Sequence, residues 1–134
     1  MSGEAELYVS HLTEEGYQPT VDADGDVVFK HEGLTYYIDI DTNDESFFRL
    51  VCPNFWSIDS PEELLRALLA ANYVTRKMKV AKVYVHNDGK DVSASIEIFL
   101  AQPEHFKAVF RRSLSALQSS ISNFRSRMVG GGSL

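Results

Sequence analysis

Ser60-Pro61-Glu62-Glu63-Leu64-Leu65-Arg66-Ala67-Leu68-Leu69-Ala70-Ala71-Asn72-Tyr73-Val74-Thr75 is the stretch whose reading decides the fold. Ser60 is placed as an N-cap, Pro61 suits the first helical position and Glu63 completes a capping box, so the sequence predicts a helix from Ser60 to Thr75. Very little of its surface is polar. At about 100° per residue, Leu64, Leu68 and Ala71 form one apolar stripe. Leu65 and Leu69 widen it on one side and Ala67 and Val74 on the other, leaving a narrow wet edge of Glu62, Glu63, Arg66 and neighbouring Ala70. A surface helix carries an apolar stripe a little over ~100° wide, whereas one that is apolar nearly all round is buried on more than one side. In a chain of 134 residues the second cover is expected from another subunit, which puts Leu65, Leu68 and Leu69 in a twofold homodimer interface. Asn72 projects at about the same angle as Leu65 and Leu68 and joins that group. An amide within an apolar surface fixes register or chain ending, or else caps the last helical turn.

Outward from this helix the apolar period changes to two. Asp26 to His31 is a strand candidate around Val27, Val28 and Phe29, and Glu32-Gly33 turns it into Leu34 to Asp41. There Leu34, Tyr36, Ile38 and Ile40 face one way, and Thr35, Tyr37, Asp39 and Asp41 the other. After the polar turn Thr42 to Glu45, Phe48, Leu50 and Cys52 continue the inner face, and Pro53 is expected to stop the strand. On the far side of the helix, Val80 to His86 places Ala81, Val83 and Val85 on one face. Asn87-Asp88-Gly89-Lys90 is a strong hairpin signal. Val92, Ala94, Ile96, Ile98 and Leu100 then alternate better than any other run in the chain.

The two ends are helical. Residues 3 to 15 carry Leu7, Tyr8, His11 and Leu12 on one side, and Gly16 supplies a left-handed terminus. A brief extended piece, Pro19-Thr20-Val21, and an Asp24-Gly25 turn follow. Pro103 and Glu104 open the last helix, whose stripe of Phe106, Phe110, Leu114, Leu117, Ile121, Phe124 and Met128 keeps to one face. The order α-β-β-β-α-β-β-α, joined by hairpins, predicts an α+β two-layer domain with a mainly antiparallel sheet packed against helices. One domain is expected over residues 1–128, with a flexible tail at 129–134.

Lys+Arg 13 against Asp+Glu 19 gives a net charge of -6, which disfavours both nucleic acid and anionic membrane as partners. No apolar run approaches the ~18 residues needed to span a bilayer. The lone cysteine, Cys52, excludes an intramolecular disulfide and fits a reducing compartment, and the first residues form no secretory signal, so a cytoplasmic location is expected.

The Asp24-Gly25 turn, Asn72 late in the central helix, the hairpin from Lys79 to Leu100 and the Phe-rich closing helix together resemble the YbjN family of bacterial proteins, often labelled sensory transduction regulators. The resemblance covers most of the chain, from the first helix to Met128. Members of that family resemble type III secretion chaperones in fold. The resemblance therefore implies a homodimer, a protein-binding role and no cofactor.

Other residues invite a chemical reading. Asp22-Ala23-Asp24-Gly25-Asp26 opens like a calcium loop, but an EF-hand needs Gly at the sixth position and a bidentate Glu at the twelfth, where Val27 and Gly33 stand. The cluster Asp39, Asp41, Asp44 and Glu45 fails the same test at Leu50. His11, His31, His86 and His105 lack zinc spacing. Cys52, in register with Phe48 and Leu50, reads as a small core residue rather than a nucleophile. No metal, cofactor or catalytic residue is assigned, and the chain reads as a non-enzyme. Five side chains do stand out: Tyr37, Phe47, Val51, Tyr84 and Phe99 alternate away from the core-facing set. Aromatic groups gathered on a nominally exposed face mark a protein contact. The closing helix carries Lys107, Arg111, Arg112, Arg125 and Arg127 as a local basic strip. The sequence thus predicts a homodimeric, chaperone-like or regulatory protein-binding module with an unidentified protein partner. The alternative is a small-molecule sensor or small hydrolase with a pocket between sheet and helices.

Overall fold

The computed structural model describes residues 1–130. Within them the elements run α1 (Gly3–Glu14), β1 (Thr20–Val21), β2 (Val27–His31), β3 (Leu34–Ile38), β4 (Phe47–Ser57), α2 (Pro61–Lys77), β5 (Ala81–Val85), β6 (Asp91–Phe99) and α3 (Phe106–Gly130), with a short 3-10 turn at Pro103–His105. The strands form one antiparallel six-stranded sheet in the order β1-β2-β3-β4-β6-β5. The brief extended piece at Thr20 is thus a sixth strand, two residues long, added to the five expected.

Period-two alternation fixes the inner face. Val27, Phe29, Tyr36, Ile38, Phe48, Leu50, Cys52, Ala94 and Ile96 are all buried in one core cluster with the helices. α3 enters that core through the stripe expected for it, Phe106 to Met128. α1 enters through Ala5, Tyr8 and Leu12, and the Tyr8 ring centroid lies 4.2 Å from that of Phe106. α3 ends at Gly130, two residues beyond the expected domain end at 128, and the rest of the expected tail, 131–134, lies outside the described residues.

Two expectations about single elements are corrected. Pro53 does not stop β4: the register shifts between Cys52 and Trp56, and the strand runs on to Ser57. The shift is a bulge, the place inside a sheet where a proline is tolerated because its missing N–H is not needed. Asn54 takes φ +50 there, and its N–H donates to the Ser93 hydroxyl at 2.9 Å. The second correction concerns α2. Its buried residues are Ala67, Ala70, Ala71 and Val74, so Ala70 belongs to the core side and not to the wet edge. Small side chains let the helix lie close against β5 and α3. Ser60 caps α2 by accepting from the Glu63 N–H at 3.1 Å, and Glu63 reaches back to the Asp59 N–H at 2.7 Å and the Trp56 indole at 3.0 Å.

Candidate protein-binding site

The sheet's outer face is built by the same alternation read one residue out of step. Phe47 stands opposite Phe99 across β4 and β6, with ring centroids 5.6 Å apart. Phe99 is 80% exposed and Phe47 half-buried. Tyr37 and Tyr84 lie further along the sheet, opposite Val51 and Ser93 respectively. Val51 does point outward, but it is only 1% exposed, so it lines the floor of this face and offers no contact surface of its own.

Between the two phenylalanines and the two tyrosines runs a charged ladder. Arg49 faces Glu97 across β4 and β6, pairs with Asp39 at 3.1 Å and lies 3.6 Å from the Glu97 carboxylate. Lys82 reaches Glu97 at 3.0 Å, and the Ser95 hydroxyl donates to it at 2.7 Å. Burial opposes the charge on Glu97, yet the hydrogen bonds from Ser95 and Lys82, with the charges of Lys82 and Arg49, hold its carboxyl below the ordinary range. The outer face is therefore polar across its middle and aromatic on either side. Sequence reasoning passed over Arg49 and Glu97, although the signal was present: each lies two residues from a side chain already assigned to that face.

The outer side of α2 is different. Leu65, Leu68 and Leu69 are 61%, 48% and 48% exposed, and Asn72 is exposed beside them. With spacings of three and four, the four residues share one helical face. The alanines that pack inward leave these leucines facing away from the chain's own core.

A family model described as T3SS (YopN, CesT) and YbjN peptide-binding chaperone 1 matches residues 6–133. The chain belongs to this family. The family is one of peptide-binding chaperones, which is a protein-binding role. Among solved structures, YbjN from E. coli is similar with a TM-score of 0.63 at 12% identity, covering 90% of this chain and 89% of that one. An uncharacterized protein from Methanothermobacter thermautotrophicus is similar with a TM-score of 0.59 at 12% identity, covering 93% of this chain and 99% of that one. At such identity these likenesses show the α+β fold alone. No curated protein matches the chain. No helix of the described residues is long and apolar enough to cross a membrane.

The remaining candidates occupy structural posts in this family fold. Cys52 is buried, and burial pushes its thiol up to about 11, so it carries no appreciable thiolate at neutral pH. His86 lies 2.6 Å from the Ser93 hydroxyl, which is itself buried and accepts from the bulge at Asn54. His11 packs edge-on to Phe106, and His31 to Tyr17. The oxygens of Asp22, Asp24 and Asp26 lie within 4.8 Å of one another. Asp22 accepts from the N–H groups of Asp24 and Asp26 at 3.0 and 2.9 Å, and Asp26 from Ile40 at 2.8 Å, so two of these carboxylates already hold the turn. Of the basic strip on α3, Arg111 pairs with Glu15 at 2.7 Å and Arg127 lies over the Tyr73 ring. A cleft of about 620 Å³ opens between β3 and α3, lined by residues that include Glu32, Tyr36, Gln118 and Arg125.

Proposed function

We propose that this chain is a non-enzymatic peptide-binding module that works as a homodimer in the cytoplasm, in a chaperone-like or regulatory role. The family match carries the peptide-binding part. The homodimer reading rests on the exposed leucines of α2. Single exposed apolar residues are ordinary, but Leu65, Leu68 and Leu69 are contiguous on one helical face, and such patches mark interaction sites. Asn72 lies at the end of the stripe, where an amide can pair with its own symmetry mate.

In this reading the partner is captured on the outer sheet face by Phe47, Phe99, Tyr37 and Tyr84, with Val51 as the floor beneath them. A few aromatic anchors supply most of the energy of a protein contact, and truncating a good one costs ~2 kcal/mol or more. Phe99, exposed and tilted against Phe47, is the best placed. The test is to recover partners from the native lysate with wild-type protein and repeat the capture with Phe99→Ala, Tyr37→Ala and Tyr84→Ala. Phe99→Ala should lose at least tenfold of the captured partner while far-UV circular dichroism is unchanged. Undiminished capture by all three variants would remove the outer face from the proposal.

A further inference from the structure

The end of β6 carries a feature that the family description does not assign. β5 begins at Ala81, opposite Ile96, whereas β6 continues to Phe99 against β4. Glu97 to Phe99 therefore have a strand on one side only. The chain turns away from the sheet just before β5, where Val80 sits at φ +55, a left-handed conformation that β-branched residues rarely adopt. The turn leaves the Val80 side chain 52% exposed.

Beside it opens a cleft of about 400 Å³ with Val80, Ile98, Val109 and Ala116 among its apolar walls. Its lining also includes Lys79 and Arg112, and no carboxylate. Both cations are exposed, and among the described residues neither is held in an ion pair. On a chain of net charge -6 this is a local reversal of sign. Apolar walls with a few convergent polar groups are the usual make-up of a ligand site, and the volume falls within the ~300–1,000 Å³ of such sites.

We infer that this cleft receives an apolar side chain of a bound peptide whose neighbouring residues are acidic, with a carboxylate lying against Lys79 and Arg112. The inference rests on the peptide-binding reading and adds the chemistry of the segment recognised. A peptide, in preference to a free acyl chain, is supported by the surroundings. Ile98 faces the cleft side of β6, and Phe99 the outer side, tilted against Phe47. An extended segment passing the open side of β6 alternates its side chains between two faces. It can therefore fill the cleft and touch the phenylalanine pair together.

The experiment is fluorescence anisotropy with a fluorescein-labelled synthetic peptide, Ser-Gly-Glu-Leu-Asp-Phe-Glu-Gly-Ser, and a control in which lysine replaces each acidic residue. Wild-type protein should bind the acidic peptide at least tenfold more tightly than the lysine control. Lys79→Glu combined with Arg112→Glu should reverse that preference, and both positions are exposed enough to leave folding intact. Val80→Gly relieves the left-handed backbone, so its Tm should be equal to or above that of wild type while affinity falls several-fold. A merely structural role for Val80 would not weaken binding. If the double charge reversal binds the acidic peptide as tightly as wild type, the cleft is not the seat and peptide binding on the outer face still stands. If neither peptide binds while the Phe99-dependent capture from lysate persists, this inference falls and the peptide-binding reading stands; loss of both would sink the two together. Dodecanoate displacing the bound peptide at lower concentration than unlabelled peptide would overturn the inference in favour of an acyl chain. Loss of dimer mass in the charge-reversed variant would overturn it in favour of a subunit contact.

Discussion

Glu4 lies in the first turn of α1 with both carboxylate oxygens buried and, among the described residues, without a hydrogen-bond partner. Burial, then the charges of Glu45, Asp41, Asp44 and Asp39 on the β3–β4 loop, push its carboxyl up to about 7. Between an unfolded value of 4.5 and a folded value of about 7, the folded chain holds a proton that the unfolded chain has lost. Stability from this group therefore falls as pH rises through that window. Glu4→Gln should match wild type near pH 5 and melt higher at pH 8, by roughly 3 °C for a chain of this size. Thermal melts across pH decide it, and parallel curves for the two proteins from pH 5 to pH 8 would show that Glu4 is not the group responsible. Glu97 has the opposite sign: its lowered carboxyl stabilises at neutral pH, and that contribution is lost as pH falls through the acid range. Neither behaviour was legible in the sequence, since each depends on which charges lie nearby in space. Val51 teaches the same lesson. Its outward direction follows from alternation, but its burial follows from the length of its neighbours' side chains.

At the scale of elements, α2 separates what a pattern states from what packing selects. The capping signals of Ser60, Pro61 and Glu63 located its start to the residue. The apolar pattern did not say which arc would face the sheet, because leucine and alanine both count as apolar. Volume decided: alanines turned inward, and the larger leucines stayed outside. The end of α2 also manages a sheet edge. The Thr75 hydroxyl accepts from the Val83 N–H at 2.9 Å and donates to the Val83 carbonyl at 3.2 Å, occupying the middle of edge strand β5 as a neighbouring strand would. Unpaired edge groups are templates for aggregation. Thr75→Val keeps the shape and removes both bonds, each worth about 1 kcal/mol. We expect a urea midpoint lowered accordingly and faster aggregation on heating. An unchanged midpoint with unchanged aggregation would mean that the Thr75 cover is incidental.

At the scale of the molecule, the proposed homodimer is the claim most open to direct measurement. Multi-angle light scattering at micromolar concentration should give about twice the 15.1 kDa chain mass. Leu68→Glu, placed on an exposed position, should return the chain mass without changing the circular dichroism, because a charge set into an apolar contact is left unpaired. A wild-type protein that elutes as a monomer at that concentration would sink the assembly proposal, and with it the role given to Leu65, Leu69 and Asn72.

The sequence by itself determined the helices, the five longer strands, the antiparallel character of the sheet and nearly all of the buried face. Each of these follows from the period of apolar residues and from local signals such as the cap at Ser60 and the Asn87–Lys90 turn. What only the tertiary structure decided was set by neighbours distant along the chain. Strand β4 passes through Pro53 because a bulge opposite Ser93 absorbs the proline. The outer face is a charged ladder between aromatic pairs because Arg49 and Glu97 come into register across β4 and β6. The cleft beside Val80 exists because β5 begins opposite Ile96, three residues short of the end of β6 at Phe99. Periodicity is a property of one segment, whereas register, bulges and clefts belong to pairs of segments, and their energies appear only when those segments meet.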